Sequence, residues 1–68
     1  MVNNLRLWRE QLGLTQLELA KTVAVTRQTI ISLERGKYLP SLVLALRLAR
    51  IFGCQVEDLF RLEEEICD

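Results

Sequence analysis

The stretch from Thr15 to Gly36, TQLELAKTVAVTRQTIISLERG, constrains the fold more than any other part of the chain. It holds two short helical patterns with almost nothing between them. Thr15 reads as an N-cap, and Glu18, three residues on, closes a capping box. Leu19, Ala20 and Val23 then recur at helical spacing. The pattern breaks at Ala24 and Val25, and Thr26 offers a second N-cap. Ile30 and Leu33 resume the apolar stripe, and Gly36 suits a left-handed stop. Two helices this short, joined by so tight a turn, cross at a steep angle. The second is left with a polar face that the first does not cover.

The flanking segments supply the rest of a bundle. A first helix is expected from about Asn4 to Leu12, with Asn3 or Asn4 as its cap and Gly13 as its stop. Leu5, Trp8 and Leu12 fall on one side of it, which places Trp8 in the core rather than against a nucleic-acid base. Residues Lys37 to Pro40 form a loop, and Ser41 caps a fourth helix. Leu42, Ala45, Leu46 and Ala49 read as its buried stripe, and Gly53 ends it. Val56, Leu59 and Phe60 bring a short fifth helix to the same core, although Gln55 stands where a stronger cap belongs. The tail RLEEEICD either extends that helix or frays. Neither strand-like alternation, internal repeat nor linker interrupts the pattern. The expectation is therefore an all-α, compact five-helix domain spanning residues 1–68, with its core at about 5–60 and an acidic tail at 61–68. A chain of 68 residues hides only about 60% of its unfolded surface. Its hydrophobic fraction of one half meets that demand.

Several functions are poorly supported. No run of about 18 apolar residues marks a membrane span. The start, MVNNLRLWRE, lacks the apolar segment of a signal peptide, so a cytoplasmic protein is expected. Histidine is absent, and Cys54 and Cys67 match no metal spacing. Free thiols are expected, with Cys54 packing, and a Cys54–Cys67 disulfide is the alternative. Neither a nucleophile–base pair nor a glycine-rich phosphate loop is apparent. An enzyme, a cofactor, a metal and a small-molecule ligand are all unexpected.

Charge points elsewhere. The net charge is zero, but residues 1–50 carry eight basic side chains against three acidic ones. Residues 51–68 carry one basic side chain against six acidic ones. Such asymmetry fits a basic binding face with an acidic end, or an ordinary surface with a solubilising tail. The second helix of the central pair favours the former. At about 100° per residue, Ile30, Leu33 and Glu34 cluster on one side, and Gln28, Ser32 and Arg35 lie opposite. Arg27, in the first turn, reaches outward, and Ile31 flanks the polar line and is expected to be exposed. Gln reads adenine and Arg reads guanine bidentately in a major groove, Ser bonds either, and Ile meets a thymine methyl. The helix starts near Gln16 and Thr26 suit phosphates, as do Arg35 and Lys37 beyond. Singly, each of these side chains is equally well a solvated one.

At these residues the sequence resembles the lambda-repressor-like, Cro/C1-type helix-turn-helix family. The matching stretches are LRLWREQLGLTQLELA, VTRQTIISLERGKYLPS and LALRLARIFGCQVEDLF, covering about residues 5–60. The resemblance implies a five-helix fold and a transcriptional regulator that binds double-stranded DNA, usually as a homodimer on a two-fold operator. It implies base contacts at Arg27, Gln28 and Ser32, with Ile31 beside them. It implies phosphate contacts at Gln16, Thr26, Arg35 and Lys37, and an internal ion pair between Arg9 and Glu34. Three departures stand out. Ala24 occupies a turn position usually held by a left-handed Gly. Ile31 replaces a polar residue. Leu7, Leu17, Leu39, Val43 and Leu44 are apolar where relatives are often polar, which points to self-association. Helix five and the tail are the expected dimer contact. A protein-interaction module, such as an antitoxin or adaptor, is the competing function.

Overall fold

Three hydroxyl side chains start three helices in the same way. Thr15 Oγ1 accepts the Glu18 N–H at 3.1 Å, Thr26 Oγ1 the Thr29 N–H at 3.3 Å, and Ser41 Oγ the Leu44 N–H at 3.1 Å. Each satisfies a first-turn donor that has no partner within its helix. At Thr15 the expected box is complete, because Glu18 Oε1 accepts the Thr15 N–H at 2.8 Å. A computed structural model describes residues 2–61 of the chain. Its elements are β1 (Val2–Asn3), α1 (Leu5–Gln11), α2 (Gln16–Thr22), α3 (Arg27–Glu34), α4 (Leu42–Phe52), α5 (Val56–Leu59) and β2 (Phe60–Arg61). The expected five helices are present in the expected order.

The helices surround one apolar centre. Leu5 of α1, Leu19 of α2, Ile30 and Leu33 of α3, Leu48 of α4 and Leu59 of α5 are fully buried there, with Val23 at the end of α2. Burying such a side chain is worth about 1.5–3 kcal/mol. Trp8, Leu14, Val25, Phe52 and Val56 pack against this centre from its edge. The Trp8 and Phe52 rings lie 6.1 Å apart at a tilt of 41°.

Four details differ from the expectation. First, α1 is shorter, and Asn4 makes no side-chain cap bond. Asn3, the other cap expected, does that work, its Oδ1 accepting the Leu5 N–H at 3.2 Å. Second, Leu12 is 53% exposed. It ends α1, and the chain turning at Gly13 brings Leu14 to the core instead. Third, α4 buries Leu44, Ala45, Leu48 and Ala49, while Leu42 and Leu46 face solvent. Leu44 is thus a core residue and not part of an exposed surplus. Fourth, a two-residue antiparallel ladder pairs Val2 with Arg61 and Asn3 with Phe60. The Asn4 N–H donates to the Leu59 carbonyl at 2.9 Å beside it. Two residues are too short for alternation to show in a sequence. Phe60 and Arg61 are therefore extended rather than a continuation of α5, while residues 62–68, including Cys67 and the rest of the tail, lie outside the described residues.

Candidate nucleic-acid interface

The turn between α2 and α3 sets the geometry of the site. Ala24 adopts φ +63°, the left-handed conformation expected at that position. The Ala24 N–H donates to Lys21 O at 3.3 Å and the Val25 N–H to Ala20 O at 2.9 Å. That pair of bonds is a Schellman motif with alanine at C′. Arg47 of α4 donates from Nη1 to the Val23 carbonyl at 3.3 Å, which ties the end of α2 to the bundle.

A second tie holds α3 from its inner side. Arg9 Nε donates to Glu34 Oε2 at 2.6 Å and Arg9 Nη2 to Glu34 Oε1 at 3.3 Å. The two side chains are only 11% and 7% exposed. Arg9 Nη1 also donates to Leu14 O at 2.8 Å, and Gln16 Nε2 donates to Glu34 Oε1 at 3.2 Å. The Arg9–Glu34 pair expected from the resemblance is present, and it fastens α1 to α3. One residue before Glu34, Asn3 Nδ2 donates to Leu33 O at 2.7 Å. With Ile30 and Leu33 also buried, the C-terminal half of α3 is held against the bundle.

The outer side of α3 remains open. Thr26, Arg27, Gln28, Arg35 and Lys37 are exposed, whereas Gln16, Ile31 and Ser32 are half-buried. Ile31 is therefore less exposed than expected, because it lines a depression where α1, α2 and α3 meet. Arg6, Gln16, Arg27, Ile31, Glu34 and Arg35 form that depression. An adjoining one is lined by Arg6, Arg9, Thr15, Gln16, Leu17, Arg27 and Glu34. Arg27, Ile31, Arg35 and Gln16 are thus brought together, while Gln28 and Ser32 line neither depression. The basic concavity is centred nearer Ile31 than the line through Gln28, Ser32 and Arg35. Glu34 adds a negative charge to the concavity, but that charge is answered by Arg9.

Sequence reasoning passed over Arg6, which lines both depressions. The signal was available: Arg6 lies one turn before Arg9 on the same helix, hence on the same side of α1. Cys54 packs at the edge of the core, and its thiol is pushed up from its ordinary pKa by burial and then by the Asp58 charge. None of the helices among the described residues is long and apolar enough to cross a membrane.

A family model described as helix-turn-helix matches residues 5–59. The chain is 60% identical over 58 residues to an uncharacterized HTH-type transcriptional regulator of Methanothermobacter thermautotrophicus, covering 84% of each chain. Among solved structures, it is similar to the restriction-modification controller protein C.AhdI from Aeromonas hydrophila. That match has a TM-score of 0.73 and 36% identity, and it covers 82% of this chain and 85% of the other. It is also similar to the SOS-response transcriptional repressor LexA from Eubacterium rectale. Here the TM-score is 0.79 at 29% identity, covering 96% of this chain and 69% of the other.

Proposed function

The chain belongs to the helix-turn-helix family, and from that premise we propose that it is a sequence-specific regulator of transcription, acting as a homodimer on a two-fold DNA operator. One observation carries the reading. Helix α3 is clamped on its inner side by Ile30, Leu33 and the Arg9–Glu34 pair, while Arg27, Gln28 and Arg35 are left exposed on its outer side. A helix of this width enters a major groove, and a rigid one holds its side chains in register with base edges. Arg27 and Gln28 read bases, with Ser32 as a further polar contact. Ile31, half-buried between Arg27 and Arg35, meets a thymine methyl. Gln16, Thr26, Arg35 and Lys37 hold the phosphates on either side. The amide of Gln16 is already oriented by Glu34, which readies it for a backbone oxygen.

Selection of bound duplexes from randomised DNA, run at two salt concentrations, tests this reading. The expected result is a two-fold sequence with half-sites about 34 Å apart, one helical turn. Recovery of unrelated duplexes at both concentrations would overturn it. A protein-interaction module is favoured by one other feature, the exposed Leu42, Val43 and Leu46 of α4. Failure to bind any duplex at low salt, with capture of a defined protein partner, would decide for that alternative.

A further inference from the structure

We infer that Arg6 is a DNA-backbone contact whose guanidinium is occupied by Glu10 until a phosphate displaces it. The inference rests on the DNA-binding reading above and adds a residue and a competition to that site. Arg6 lines both depressions beside Gln16 and Arg27. Its neighbour Arg9 is spent on Glu34 and the Leu14 carbonyl. Arg6 is not. Among the described residues only its Nε is engaged, to Glu10 Oε2 at 3.0 Å, and its side chain is 72% exposed. Both Nη groups remain free to meet a second anion.

The Glu10 bond is built to yield. An exposed ion pair on a helix is weak. The order here, with the basic residue N-terminal to the acidic one, is also the less favourable of the two at this spacing. A backbone phosphate offers the guanidinium two oxygens in bidentate geometry, where Glu10 engages only its Nε. Glu10 thus stands in the place of a phosphate and shields the charge of Arg6 in the free protein. Since Arg9 and Glu34 lock α1 to α3, Arg6 keeps a constant position relative to the readout helix.

The test is a salt series on the preferred duplex and on a random one, for the wild type, Arg6→Ala, Glu10→Gln and the double variant. One phosphate contact accounts for a salt slope of about 0.9, or about eightfold in affinity at 0.1 M salt relative to 1 M. Arg6→Ala is expected to weaken both duplexes by about that factor and to flatten the slope by about 0.9. Arg6→Lys keeps the slope, and Arg6→Gln serves if alanine perturbs α1. Glu10→Gln is expected to tighten binding about twofold, the size of a weak exposed pair. In the Arg6→Ala background the same change has no effect. An unchanged slope in Arg6→Ala would overturn the inference. So would tightening by Glu10→Gln that survives the loss of Arg6, since that is a long-range charge effect. A wild type that binds neither duplex would instead remove the DNA-binding reading itself.

Discussion

Ala24 carries more strain than any glycine turn in the chain. Gly13, Gly36 and Gly53 take φ of +71°, +72° and +68° in the motifs that end α1, α3 and α4, and Ala24 takes +63° in the same role after α2. A Cβ in this conformation costs roughly 1–2 kcal/mol. Glycine removes that cost but returns up to about 1 kcal/mol as unfolded-chain entropy. Ala24→Gly is thus expected to stabilise the fold by about 0.5–1 kcal/mol, read from urea midpoints. Gly13→Ala should move the other way by about 1 kcal/mol, since a Cβ there meets nothing within 4 Å and only the backbone objects. A second residue-scale contrast concerns Glu34. Removing its carboxylate leaves Arg9 nearly buried and uncompensated, at 11% exposure. Glu34→Ala should cost about 3 kcal/mol, whereas an apolar replacement of both partners should recover most of it. Equal losses in the single and double variants, again by urea melts, would show that the pair does not act as a unit.

At the scale of elements, α3 separates two kinds of contact, and its variants should separate likewise. Arg27→Ala and Gln28→Ala are expected to cost about 1–3 kcal/mol on the preferred duplex and to relax preference at the bases they read. Lys37→Ala should weaken all duplexes alike and reduce the salt slope by about 0.9. Competition binding on single-base variants of the selected site distinguishes the two patterns. The caps and stops of α2, α3 and α4 were legible in the sequence because Thr15, Glu18, Thr26, Ser41 and the terminal glycines act locally. The rotation of α4 was not. Its sequence, LVLALRLARIF, places an alanine row between two leucine pairs, about 60° from Leu42/Leu46 and about 100° from Leu44/Leu48. Arg47, nearly opposite the alanines, lies nearer Leu44/Leu48, so the wheel alone favours Leu42/Leu46. Only the packing of the other helices chose Leu44 and Leu48 for the core.

That choice has a consequence for the whole molecule. Leu42 and Leu46, 72% and 54% exposed, join Leu39 and Val43 on the outside of α4. Leu39, Pro40, Leu42, Ala45, Val56 and Phe60 line an apolar groove on the same side. For the proposed homodimer, this face is the expected contact between subunits, with α4 contributing beside α5. Leu42→Asp and Leu46→Asp should then give monomers by light scattering and weaken binding to a two-fold site, with little change in urea midpoint. Dimers that persist in both variants would place the contact elsewhere. Phe60 is unsuited to this test, because it is buried and paired with Asn3 in the terminal ladder.

Residue order alone determined where α2, α3 and α4 begin and end, and which residues of α2 and α3 turn inward, because capping bonds and apolar spacing act within a few residues. It also placed Arg27 outward, while the family resemblance marked Arg9 and Glu34 as partners and Ala24 as strained. Tertiary structure decided the rotation of α4, the ladder between Asn3 and Phe60, and the meeting of Arg6 with Arg27 and Ile31 in one concavity. Each of these depends on how separate segments approach in space, and a nearly all-apolar helix or a two-residue strand leaves no local period from which that approach can be read.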